Sequence, residues 1–210
     1  MAEVCFTGNG PVGASDYVKT PRLLLHCCCA PCASSVLEQL SANYRITAFF
    51  FNPNITPYEE HNRRLGEFDK LPLQEGYKNP VDIVTCSYDP KPFIDAAASL
   101  WDEPEDGERC RACFQLRLGE TAKHASVGGF DCFATTLSVS PHKDAAVINE
   151  TGGDLEREYG IRYLHSDFKK RDGYKRSIEL SKQYDLYRQS YCGCKPSKKS
   201  NIVRSNGHQV

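Results

Sequence analysis

Eight of the eleven cysteines in this 210-residue chain fall into three short clusters. The first is Cys27-Cys28-Cys29-Ala30-Pro31-Cys32. The second is the Cys-x-x-Cys pair Cys110/Cys113, and the third is Cys192-Gly193-Cys194. Thiolate clusters suit soft metals, either zinc or the iron of iron–sulfur centres. Four thiolates saturate one structural zinc or one [4Fe–4S] cluster. Eight therefore exceed one centre, and adjacent cysteines cannot easily bind one ion, so the surplus implies two metals or one metal with reactive thiols. Eleven is odd, which rules out complete disulfide pairing within one chain. The first twenty residues lack a basic start followed by an apolar stretch, so no export signal is read and a reducing, cytoplasmic setting is expected. Cys86 and Cys132 stand alone on strand-like segments and read as small buried apolar residues.

For the clusters to act together, the fold must carry three distant segments to one place. RLLLH (Arg22 to His26) reads as a buried strand, followed by a helix over Ser34 to Leu40. Further strands are expected at Tyr44–Phe51, Val81–Cys86, Phe130–Leu137 and Ile161–His165. Helices are expected at Tyr58–Leu71, Pro92–Leu100, Cys110–Ala125 and Tyr174–Tyr184. Ser140-Pro141 resembles a helix start, with that helix running toward Glu158 and interrupted at Gly152-Gly153. NPNI (52–55) reads as a turn after a strand, and His26 as a packed core histidine. Strands alternating with helices imply parallel pairing and a Rossmann-like, doubly wound α/β fold, with a mostly parallel sheet of about five strands. Residues 1–20 read as a flexible leader, 21–196 as a single α/β metal-binding catalytic domain, and 197–210 as a polar tail. In such sheets ligands collect at the carboxyl ends of the strands. The 27–32 cluster lies there, at a helix N-terminus whose free N–H groups and positive partial charge stabilise thiolates.

Composition narrows the partners. Hydrophobic residues make up 40% and charged residues 25%, as in a folded domain. No apolar run approaches the roughly 18–20 residues that span a bilayer, so no membrane partner is expected. The net charge of −1 hides a split, because residues 161–210 carry 12 Lys and Arg against four Asp and Glu. A basic end beside an acidic body suits an anionic macromolecule.

The segments LLLHCCCAPC, FFFNPNITPYEEHNRR, ERCRACFQLRL, FATTLSVSPHKD and DFKKRDGYKRSIELSKQYDLYRQSYCGC span residues 23–194. In these segments and their order the chain resembles the QueH family of epoxyqueuosine reductases. The resemblance implies a [4Fe–4S] cluster beside a mononuclear iron, and reduction of the epoxide of epoxyqueuosine at the tRNA wobble position to the alkene of queuosine. It carries the site onto Cys28, Cys29, Cys110, Cys113, Cys192 and Cys194. Cys32 stands where a family member can hold Asp, and is a ligand candidate for the single iron. Cys27 is an extra cysteine and is not counted.

Seven candidate thiols then fit four for the cluster and three for the iron, which keeps an open position. In that split Cys110 and Cys113 serve the cluster, while the Cys28/Cys29 and Cys192/Cys194 pairs each give one member to each metal. Proton-donor candidates are Asp131, Asp167, Lys169 and Tyr191. Lys169, Lys170, Arg171, Tyr187, Arg188 and Gln189 are expected to contact tRNA through phosphates and stacked bases. The Thr and Ser hydroxyls of TTLSVSPHKD, at the expected helix start, suit a phosphate. An electron donor, unidentified, is required. The alternative is a zinc-stabilised RNA-binding protein without redox activity. A tRNA-thiolating enzyme would need a Gly- and Ser-rich ATP loop after the first strand, where this chain has CCCAPCASS.

Overall fold

The computed structural model describes residues 20–198. Most of the expected leader and the end of the polar tail lie outside the described residues. Five strands form one sheet: β1 (Arg22–His26), β2 (Arg45–Phe50), β3 (Val81–Thr85), β4 (Cys132–Thr135) and β5 (Arg162–Tyr163). The order is β3-β2-β1-β4-β5 and every pairing is parallel, as a doubly wound fold requires.

Strand periodicity builds the core on both faces at once. Leu23 and Leu25 point with Ile46, Phe50 and Ala134 into one layer, while Leu24 points with Phe49 and Phe133 into the other. All three leucines are fully buried, each contributing about 1.5–3 kcal/mol of hydrophobic stabilisation. Helices α1 (Ala30–Leu40) and α6 (Gly173–Gln183) pack together on the first face. On the second lie α4 (Glu108–Val127) and α5 (Ala145–Tyr159). Two shorter helices, α2 (Tyr58–Gly66) and α3 (Lys91–Ala96), follow β2 and β3. Among the described residues no helix is long and apolar enough to cross a membrane.

Local departures from expectation have local causes. Helix α1 begins at Ala30 rather than Ser34, which places Cys32 in its first turn. Strand β4 stops at Thr135 because the Thr135 side chain accepts the Leu137 N–H and starts a 3-10 turn over Thr136–Val139. Ser140-Pro141 does not begin a helix. Ser140 is extended, as a residue before proline must be, and Asp144 caps α5 instead by accepting the Ala146 N–H. Gly152-Gly153 does not interrupt α5: a Cβ on Gly152 would lie 2.3 Å from Tyr163 Cε1, so glycine lets the helix approach the sheet. The last strand contracts to Arg162–Tyr163 at the sheet edge.

The order of strand addition reverses at β1, which pairs with β2 on one side and β4 on the other. The carboxyl ends of β1 and β4 flank the crevice at this switch point. Cys27–Cys29 leave β1 there, and the Thr136–Val139 turn leaves β4.

Candidate metal centre

Cys29 is the N-cap of α1, and Cys32 follows within its first turn. The sulfurs of Cys28, Cys29 and Cys32 all lie within 4.8 Å of one another. Cys28 Sγ is 3.7 Å from Cys29 Sγ and 3.8 Å from Thr136 Oγ1, so it touches the turn that leaves β4. Donation from Cys29 and Cys32, outweighing burial, holds Cys28 well below the usual thiol range. Its neighbours move the other way, with Cys29 pushed up to about 11 and Cys32 well above its ordinary value. Cys27, by contrast, turns into the core, where its Sγ donates to the Leu25 carbonyl at 3.3 Å.

The remaining four thiols, Cys110, Cys113, Cys192 and Cys194, line a small pocket together. Cys110 and Cys113 come from the first turns of α4. The 192–194 segment is fastened by Arg64, a 1%-exposed residue on α2, which donates to the Cys192 carbonyl at 2.9 Å and the Tyr191 carbonyl at 3.2 Å. Burial pushes Cys110 up to about 11, Cys194 up to about 12, and Cys113 upward. Removing these thiols' protons therefore requires compensating positive charge. All seven are free thiols.

Two cations stand beside them. Arg117 on α4 is buried, donating to Asn52 Oδ1 at 2.5 Å and reaching Cys113 Sγ at 3.8 Å. Burial disfavours its charge, but Cys113, Cys28 and Cys192 outweigh that and hold it charged. Lys143 is half-buried and borders the four-thiol cavity. Burial again opposes its charge, and Cys192, Cys28 and Cys32 outweigh it. Asn54 also lines this cavity, buried, with neither polar side-chain atom hydrogen-bonded. Soft donors, flanking cations and an orphaned amide fit a bound metal–thiolate group.

A second, open and larger cleft adjoins this pocket. Cys28, Cys32 and Cys192 line it, with Arg117, His142, Lys143, Arg188, Gln189 and Tyr191 among the other lining residues. Cys192 and Lys143 border both spaces.

The structure distributes the other expected site residues unevenly. Gln189 reaches the thiols directly, its Nε2 3.1 Å from Cys29 Sγ. Arg188 lines the cleft, anchored on the Ser177 carbonyl and Ser181 Oγ. Tyr191 also lines it, but its hydroxyl is donated to the Thr56 carbonyl at 3.0 Å. Tyr187 stands outside the cleft lining, with the Arg63 guanidinium 3.4 Å from its ring centroid and its hydroxyl toward Glu60. Asp167 is held by ion pairs to Lys169 and Lys170, and Lys169 Nζ also donates to the Lys143 carbonyl. Lys169 therefore tethers the loop that carries Lys143. Lys170 and Arg171 are exposed on the turn before α6.

Asp131 is not brought to the thiols. It precedes β4 and accepts the Arg22 N–H at 2.7 Å, at the amino ends of β1 and β4. The cysteines leave the opposite ends, so the sheet's length separates Asp131 from them. The expected phosphate site at a Ser140 helix start is likewise absent, because α5 begins later.

Arg117, Asn52, Asn54 and Lys143 were not singled out from sequence. Their signals are faint: Arg117 lies one helical turn after Cys113, the asparagines fall in NPNI at a strand end, and Lys143 sits in the SPHK loop. His26 is a core histidine as expected, fully buried and hydrogen-bonded to Thr135 Oγ1 at 2.9 Å.

The family model described as epoxyqueuosine reductase QueH matches residues 23–200. The epoxyqueuosine reductase QueH of Streptococcus pyogenes serotype M1 is 44% identical over 176 residues, covering 83% of this chain and 69% of the relative. That of Staphylococcus epidermidis is 42% identical, covering 83% and 75%. That of Thermotoga maritima is 31% identical over 199 residues, covering 89% and 98%. The chain belongs to the QueH family of epoxyqueuosine reductases, which are oxidoreductases.

Proposed function

We propose that this chain reduces epoxyqueuosine at the wobble position of tRNA to queuosine, using a [4Fe–4S] cluster and an adjacent mononuclear iron. The observation that carries the reading is that seven thiols from three distant segments lie in one thiol trio and an adjoining four-thiol pocket, with Cys192 bordering both the pocket and the cleft of the trio and buried Arg117 beside them. Both C–O bonds of the epoxide break. Two electrons and two protons enter, and an alkene and water leave. When bound, the iron centres supply electrons and a Lewis acid.

Cys28, Cys32 and Cys192 face the open cleft and would hold the single iron. Cys29, Cys110, Cys113 and Cys194 would hold the cluster, so the Cys28/Cys29 and Cys192/Cys194 pairs each give one thiol to each metal. Lys143 Nζ would carry a proton on the cleft wall, and the Tyr191 ring and Gln189 would border the modified base. Arg188, with exposed Lys170 and Arg171, would meet the phosphates of the tRNA. An electron donor, unidentified, would reduce the centre.

Protein purified without oxygen should be brown and contain acid-labile sulfide, with more iron than sulfide. It should convert epoxyqueuosine-tRNA when supplied with a chemical reductant. Cys32→Ser should lose about one iron per chain and keep its sulfide, whereas Cys113→Ser should lose sulfide as well. Colourless protein that holds only zinc, and takes up no iron and sulfide anaerobically, would leave the RNA-binding alternative.

A further inference from the structure

Arg117 is 1% exposed, yet among the described residues no carboxylate forms an ion pair with it. Its Nη2 donates to Asn52 Oδ1 at 2.5 Å, and Asn52 Nδ2 donates in turn to the Cys27 carbonyl at 2.9 Å. Its Nη1 points to Cys113 Sγ at 3.8 Å, and its Nε is buried with no hydrogen-bond partner. Arg117 also lines the cleft that Cys28, Cys32 and Cys192 border. A guanidinium is always charged, and burying one without a counter-ion is costly. The groups beside it that become anions on binding a metal are the cysteine sulfurs.

We propose that Arg117, held in place by Asn52, is a positioning residue that raises the reduction potential of the thiolate-bound centre. The inference rests on the metal-centre reading above. An electron arriving at such a centre adds negative charge. A fixed positive charge in a water-poor wall favours that added charge more than it favours the oxidised state, and N–H donation toward the sulfurs acts in the same direction. The Cys27–Asn52–Arg117 chain ties this charge to the loop that carries the trio. One side chain therefore faces both groups of thiols and biases both toward the reduced state.

The test compares wild type, Arg117→Lys and Arg117→Gln, each loaded anaerobically with iron and sulfide and titrated electrochemically with detection by electron paramagnetic resonance. Removing the charge in Arg117→Gln should move the midpoint to a more negative potential, by about 59 mV for each tenfold loss in the one-electron reduction equilibrium. Arg117→Lys keeps the charge and should retain most of the wild-type value. An unchanged midpoint in loaded Arg117→Gln would overturn the proposal, as would Arg117→Lys falling as far as Gln. Should Arg117→Gln fail to load, Asn52→Ala is titrated in its place. A more negative midpoint in that variant supports the proposal, and an unchanged one overturns it. Wild-type protein that takes up no iron and sulfide would overturn the metal-centre reading itself, and this inference with it. Wild type that loads and turns over, beside variants of unchanged potential, overturns this inference alone.

Discussion

Gln189 Nε2 lies 3.1 Å from Cys29 Sγ, although 160 residues separate them in the chain. The contact fastens the YRQSY segment to the trio at the N-terminus of α1 and sets one wall of the open cleft. Hydrogen bonds to charged acceptors contribute about 1.5–3 kcal/mol, a factor of about ten or more in rate if the bond matters to turnover. Gln189→Ala should therefore lose about tenfold in single-turnover reduction of epoxyqueuosine-tRNA while keeping its iron. Gln189→Glu should lose more, since it sets a like charge against a thiolate. Wild-type rates in both would show that the contact is incidental.

Gly193 separates two of the proposed ligand cysteines at a φ of +126°, a region that residues with a Cβ rarely adopt. An added methyl would also lie 2.9 Å from Ile55 Cγ1 and 3.1 Å from Arg64 Nη1. Gly193→Ala should cost about 1–3 kcal/mol in denaturant unfolding. It should also lower iron bound per chain, because Arg64 and the Thr56 N–H hold the carbonyls on either side of Cys192 Sγ. Unaltered iron content would mean that the segment can adopt another path without moving its thiols.

Metal removal should be visible in stability. A group that binds only the folded chain stabilises it by about 4 kcal/mol at a thousandfold excess over its dissociation constant. Iron-free protein leaves buried Arg117 without the metal–thiolate group beside it, so it should melt several degrees lower. Reconstitution with iron and sulfide should restore the midpoint. Equal melting of loaded and stripped protein in calorimetry would argue against a site formed by the folded chain.

Away from the centre, Arg176 on α6 grips Glu38 on α1 with two hydrogen bonds of 2.8 and 2.7 Å. The bridge holds the Glu38 carboxyl below its ordinary value. Its stabilising contribution is thus complete above the unfolded carboxylate range and fades as pH falls through the lower folded value. Both side chains are more than 40% exposed, so Arg176→Ala should cost no more than about 1 kcal/mol at neutral pH. The difference from wild type should vanish in acid and shrink in high salt. A thermal-melt series across pH and ionic strength would expose any departure.

Much of this protein is legible along the chain. RLLLH and RITAFF are apolar enough to be central strands, and strands alternating with helices leave few alternatives to a parallel, doubly wound sheet. The three cysteine clusters announce metal chemistry because soft thiolates at that density have few other uses. Distance in space is a different matter. Asp131 adjoins a strand just as the cysteines do, but only the parallel pairing of β1 with β4 decides that it sits at the amino ends while they leave the carboxyl ends. Ser140-Pro141 carries a helix-start pattern that Asp144 overrides by capping the next turn.

What the sequence by itself determined is the supply of thiols and the scaffold able to gather them, since both follow from residue type and short-range periodicity. Only the tertiary structure decided that Arg117 is buried against Cys113 and Asn52, that Asn54 lines the four-thiol cavity, and that Cys28, Cys32 and Cys192 face the cleft. The physical reason is that these are consequences of burial and long-range approach. A lone arginine or asparagine has no periodicity to reveal it, and its charge or amide acquires a role only when packing removes water and leaves a thiolate as its neighbour.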